Sequence, residues 1–154
     1  GVVRRTRTSC YMTLTWRIRP TLVLAAALSW AAQTVGAQGS ASDAHTSAES
    51  WVQLVDQGKG NESWRQAAAS FKTVTPSEKW VASVQQVRRT LGPLQRRSLR
   101  RGTATDVLPT GQRGQFMLIE FDAVFTHRTG TSFETIALVR ESDRQWRVVW
   151  YDIK

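Results

Sequence analysis

Glu134, in the run Phe-Glu-Thr-Ile-Ala-Leu, and His127, in the polar stretch His-Arg-Thr-Gly, are the side chains of this sequence best suited to proton transfer. Imidazole titrates near neutrality, and a carboxyl held among apolar neighbours is raised toward it, so either could act as a general base. His127 lacks an evident carboxylate to orient it. Glu120, Asp122 and Glu134 fall on strand-like segments and could converge, with an ion pair between Glu134 and Arg140, Arg147 or a helix-borne arginine as the competing structural reading. No spacing of histidines or carboxylates suits a metal, and no nucleophile elbow, phosphate loop or dinucleotide fingerprint is present. The sequence therefore implies neither metal nor cofactor.

Two binding chemistries stand beside these. Arg88, Arg89, Arg96, Arg97, Arg100, Arg101 and Arg113 form a basic tract whose guanidinium forks suit carboxylate or phosphate. The bland alternative is a solvated edge, with Arg88 and Arg89 complementing the negative end of their own helix. Aromatic residues are not interleaved with these arginines, which argues against stacked bases and so against nucleic acid. Trp146, Trp150 and Tyr151 sit close together near the C-terminus and, with Glu134, could line a ligand pocket; packing inside the fold is the competing role for the two tryptophans.

The elements that must position these groups are legible from periodicity. Trp51, Leu54 and Val55 predict a first helix ending near Gly58, and Trp64, Ala67, Ala68 and Phe71 a second. A third has Thr75 as N-cap, Pro76 at the first helical position and Glu78 closing a capping box. Its apolar face is Trp80, Val84, Val87 and Leu91, and Gly92-Pro93 ends it. Thereafter the period approaches two, predicting strands over residues 94–107, 116–125, 133–141 and 145–153, the first an arginine-rich edge. The expectation is an α+β domain over residues 48–154, with three N-terminal helices packed on a curved four-stranded antiparallel sheet.

A two-residue turn at Asp143-Arg144 would set Glu141 opposite Trp146, Val139 opposite Val148 and Ala137 opposite Trp150, and would require positive φ at Arg144. Pairing Phe125 with Phe133 would place Met117, Ile119, Phe121, Ala123 and Phe125 with them on the helix-facing side. Glu134, Ile136, Leu138 and Tyr151 would then lie on the outer face, whose mixture of charge and apolar groups suits a protein partner or homodimer. A one-residue slip reverses that assignment.

Ahead of this domain, Arg17 and Arg19, an apolar run from Thr21 to Ala32 and the small residues Val35-Gly36-Ala37 read as an export signal cleaved after Ala37. The run is shorter than the roughly 20 residues of a membrane span, so the membrane enters only before cleavage. Residues 1–11 read as an extension upstream of Met12, with a twin-arginine signal as the alternative, and residues 38–47 as a flexible linker. Five leader arginines account for five of the formal +9, leaving +4 on the remainder, too little to argue for polyanions. Cys10, the sole cysteine, lies in the leader, so the exported chain has neither disulfide nor thiolate. The expected location is periplasmic or secreted, and the expected partner a protein or small molecule of the cell envelope.

Trp51, Asp56-Gln57-Gly58, Ser63-Trp64-Arg65-Gln66-Ala67-Ala68, Phe71-Lys72, Trp80, Val87 through Gly92, Arg96, Leu108-Pro109, Phe125, Glu134 through Leu138 and Trp146 through Tyr151 together resemble domain-of-unknown-function family 4019. The resemblance implies a small bacterial protein, commonly exported, with no activity to carry over. Its helix-then-sheet order is also similar to the nuclear-transport-factor-2-like or cystatin-like cone, which hosts enzymes, binding pockets and dimerisation modules alike. This sequence departs from the family pattern with Gly60 in place of an aromatic residue, Arg144 in place of a turn glycine and Trp150 in place of the glycine before Tyr151. The reading that follows is a non-catalytic ligand- or protein-binding module, with a proton-transfer enzyme and an arginine-based anion binder as alternatives.

Overall fold

A computed structural model describes residues 32–154, with side chains from residue 40 onward. Cys10, residues 1–11 and the basic and apolar parts of the export signal lie outside the described residues. In chain order the elements are α1 (Ala32–Asp56), α2 (Gly60–Gln66), α3 (Ala69–Val74), α4 (Ser77–Leu91), β1 (Leu94–Val107), β2 (Arg113–Phe125), β3 (Ser132–Arg140) and β4 (Trp146–Ile153). The strands form one antiparallel sheet in the order β1-β2-β3-β4, an α+β architecture. No helix among the described residues is long and apolar enough to cross a membrane.

Residues 38–47, expected as a linker, lie inside α1. Small residues conceal this helix from a hydropathy reading. Ala41, Ala44, Ala48, Trp51, Val52 and Val55 recur at helical spacing and pack on the main core, with Ala44 and Ala48 fully buried. His45, placed in the linker by sequence, instead sets its ring 5.8 Å from that of Phe121.

Four helices stand where three are expected, because the second breaks at Ala67 and Ala68, both extended. The backbone leaves the helix there so that the Ala68 N–H can donate to Val148 O at 2.8 Å, joining the exposed edge of β4. In α4 the expected face holds, with Trp80, Val84 and Leu91 buried, but the capping box does not form. Pro76 occupies the cap position without a side-chain bond, and Thr75 O accepts Trp64 Nε1 at 2.7 Å. Gly92 ends α4 at φ 75° and ψ −173°, a region essentially reserved for glycine.

Two corrections of register decide which groups face the helices. Phe133 lies opposite Asp122, not Phe125, and Ser132 opposite Ala123. The end of β2 instead runs on to α4, with Thr126 N–H on Pro93 O at 3.0 Å and His127 N–H on Leu91 O at 2.9 Å. This odd shift turns Glu134, Ile136 and Leu138 inward, where Met117, Ile119 and Phe121 already point.

The second correction comes from the β3–β4 turn, which closes three residues rather than two. Glu141 N–H bonds Gln145 O at 3.0 Å, Arg144 N–H bonds Glu141 O at 2.9 Å, and Arg144 takes φ 65°, the positive value expected of it. Arg140, Val139 and Leu138 therefore face Trp146, Arg147 and Val148. An extra residue in β4 at Val149 then restores the expected pairing of Ala137 with Trp150. Trp146 consequently packs on the main core and Trp150 on a second cluster with Leu108, Phe116, Ala137 and Val149.

Candidate functional site

The inward turn of β3 puts Glu134 at the centre of the molecule's buried polar chemistry, with no solvent exposure. Its Oε1 accepts Arg88 Nη2 at 3.0 Å and the Tyr151 hydroxyl at 2.8 Å, while Oε2 accepts Arg97 Nε at 2.6 Å. Arg97 also grips Asp56 through Nη1 to Oδ2 at 2.5 Å and Nη2 to Oδ1 at 3.1 Å. Arg88 Nη2 lies 3.0 Å from Asp56 Oδ1, so one nitrogen spans both carboxylates. Two acids, two guanidiniums and a phenol thereby tie α1, α4, β1, β3 and β4 into a neutral network. The helix-borne partner expected for Glu134 is Arg88; Arg147 instead pairs with Glu141 and Asp143, and Arg140 Nε donates to Arg144 O.

Burial alone would raise the Glu134 carboxyl, but Arg97 by charge and hydrogen bond, Arg88 by charge and the Tyr151 hydroxyl outweigh it and hold the group below its ordinary value. Burial and the Glu134 charge push Tyr151 well up, so it remains a neutral donor. Burial opposes the charge on Arg97, yet bonds to Asp56 and the nearby Glu134 more than compensate. Glu134 is thus an ionised anchor that accepts from two guanidiniums and a phenol, a poor proton acceptor.

Beside this network, α1 and the C-terminal half of α4 stand apart around an open cleft of about 1250 Å³. Asp56, Arg88 and Arg97 line it, and the exposed His127 and Arg89 stand on the same lining. Glu134 is not on its wall, so the two proton-transfer candidates are not brought together. Arg88 stacks its guanidinium carbon 5.1 Å from the Phe125 ring centroid, and its Nε and Nη1 are buried without a hydrogen-bond partner.

The arginine tract divides between faces. Arg88 and Arg97 turn inward; Arg89 reaches Gln85 O and the Gln86 amide; Arg96 is exposed; Arg100 and Arg101 pair with Asp122 and Glu120 on the outer face. Of the four residues expected around a ligand, Tyr151 and Glu134 meet, Trp146 lines a smaller recess with Thr46, Ser50 and Gln66, and Trp150 lies on the other side of the sheet. Sequence reasoning missed Asp56. Its signal was its place at the end of α1, a carboxylate where the apolar face runs out, but its partners are 32 and 41 residues away in sequence. No group of three or more metal-ligating side chains occurs among the described residues.

Comparison with known proteins adds a family and little else. No curated protein matches the chain. A 2.5 Å structure of a protein from Catenulispora acidiphila aligns over 79% of this chain and 94% of that one, at 14% identity and a TM-score of 0.44, too distant to carry an argument about fold or activity. A family profile described as protein of unknown function, DUF4019, matches residues 47–151. That span takes in the C-terminal part of α1 from residue 47, all of α2 to α4 and the sheet up to Tyr151, and the chain belongs to the DUF4019 family.

Proposed function

We propose that this domain is a non-catalytic binding module whose small-molecule site is the cleft between α1 and α4. The observation that carries this reading is the pairing of an open cleft with a charge-balanced ionic floor of Asp56, Arg88 and Arg97. A general base must stand within reach of its substrate, and the buried Glu134 carboxylate is off the cleft wall and held ionised by Arg88, Arg97 and Tyr151. Residues so tightly cross-linked hold shape, which is what a preorganised binding site requires. The export-like leader supports placing the ligand in the cell envelope.

Native mass spectrometry of the purified protein tests this. The expected result is a copurifying small molecule, lost on unfolding and absent from Gln53→Trp, which fills the cleft from α1. A protein that is bare in repeated preparations, or a ligand retained in Gln53→Trp, would count against the site.

A specific observation favours a second contact on the outer face. There Leu118, Ala137 and Trp150 form a cross-strand apolar row, with the Arg101–Glu120 and Arg100–Asp122 pairs to one side and Arg147 with Glu141 and Asp143 to the other. An apolar centre with a rim of both signs suits a second copy of the chain.

A further inference from the structure

We propose that the free edge of β1 is a docking site for an extended segment of a partner protein, which adds to the sheet as a further strand and alternates acidic with apolar side chains. This goes beyond the reading of the cleft, since neither Arg96 nor any residue from Ser98 to Val107 lines it.

β1 is an open template. It stands at the end of the sheet order and pairs with β2 alone among the described residues, so the N–H and C=O groups on its outer edge have no strand beside them. From Ser98 to Ala104 it is exposed on both faces, beyond the cover of the helices. Free edges are commonly guarded by charge and by bulges, and β1 has both, with arginines along it and breaks of register at Gln95 and Arg100. Leu99 and Val107 are no part of such a guard. They keep 47% and 42% exposure, two of the four large apolar side chains left exposed among the described residues.

The two faces of this edge define the partner. By their pairing with β2, Arg96, Ser98 and Arg101 point to the outer face, and Leu99, Gly102 and Ala104 to the helix side. On the outer face Arg96 is exposed with no ion pair among the described residues, and Arg100 and Arg101 remain more than half exposed although paired with Asp122 and Glu120. The helix side is uncharged from Leu99 to Ala104, an exposed leucine followed by two small residues that leave room for a branched side chain. Successive side chains of an added strand meet these two faces in turn, so acidic and apolar residues in alternation answer both. A second copy of β1 does not fit, because the strand carries four arginines and the single acid Asp106, and two such edges repel.

The test is NMR titration of the full chain with a short synthetic peptide alternating glutamate and valine, following backbone amide shifts and hydrogen exchange in β1. The controls are the same peptide with lysine for glutamate, and the same peptide with every backbone nitrogen methylated, which keeps the charge and cannot pair with a strand. The acidic peptide is expected to shift and protect amides between Ser98 and Ala104, to bind about tenfold or more tighter than either control, and to weaken as salt rises. Arg96→Glu and Leu99→Ser, both at exposed positions outside any ion pair among the described residues and expected to fold normally, should each weaken it at least several-fold. Equal binding of the methylated peptide would reduce the contact to charge and overturn strand addition. Equal binding of the lysine peptide would overturn the acidic partner. β1 amides unmoved by the acidic peptide would overturn the docking site and leave the cleft untouched. Tighter association with phosphatidylglycerol vesicles than with the peptide, lost in Arg96→Glu, would assign the edge to a lipid surface and overturn the protein partner.

Discussion

At the residue scale the molecule turns on Glu134, because a carboxylate with no exposure is stable only while both guanidiniums and the phenol answer it. Glu134→Gln is expected to lower unfolding stability in urea by about 3 kcal/mol, since it leaves Arg88 and Arg97 buried with one counter-charge fewer. Tyr151→Phe removes one bond to a charged acceptor and should cost about 1.5 kcal/mol. The lowered carboxyl of Glu134 also sets an acid limit. Its contribution is complete above the ordinary glutamate value of about 4.3 and is lost as pH falls through the lower folded value, because the unfolded chain takes up the proton first. Melting temperatures measured from pH 7 down to about pH 3 should fall below that point, and less steeply in Glu134→Gln. The identity of Glu134 as the acid worth watching was legible in the sequence, but its neighbours were not. Asp56, Arg97 and Glu134 lie on three elements, and only the true β2–β3 register brings the last of them inward.

At the scale of elements, the C-terminal end of α4 and the β3–β4 turn are the places to intervene. A Cβ on Gly92 would clash with Thr126 Oγ1 and lie 2.7 Å from the His127 ring, and its φ already disfavours other residues. Gly92→Ala should therefore destabilise by about 2 kcal/mol or more, by backbone strain with a clash added. Arg144 is the opposite case, a non-glycine residue held at positive φ with no side-chain hydrogen bond to lose among the described residues. Arg144→Gly should raise stability by about 1 kcal/mol in thermal or urea unfolding. The β3–β4 turn explains why the strands could be read from sequence while their pairing could not. A period of two identifies a strand, but a one-residue difference in loop length, three instead of two before β4, reverses every side chain until the extra residue at Val149 reverses them again. The first turns of α1 escaped notice for another reason: alanine at a close helix contact carries packing information that hydropathy does not record.

For the whole molecule, the helices cover one face of the sheet, and the outer face carries Leu118, Val139 and Trp150 half-buried and Phe133 at 47% exposure beneath Arg100. The proposed pairing of two copies through this face predicts a dimeric mass by light scattering, reduced to a monomer in Leu118→Arg with the melting temperature little changed; a wild-type monomer at high concentration would remove the proposal. On the opposite face, Trp51 and Trp80 both hydrogen-bond Ser63, through its backbone oxygen at 2.8 Å and its hydroxyl at 2.9 Å. Their ring centroids lie 5.5 Å apart with planes tilted by 36°, and Tyr151 sits within 5.9 Å of both. Transition dipoles so close and so obliquely set couple as an exciton, with a strength that falls as the cube of their separation. The far-ultraviolet dichroism of this protein should thus carry a tryptophan couplet on top of its peptide bands. That optical signal would vanish on separation of α1 from α4 even where every helix remained intact.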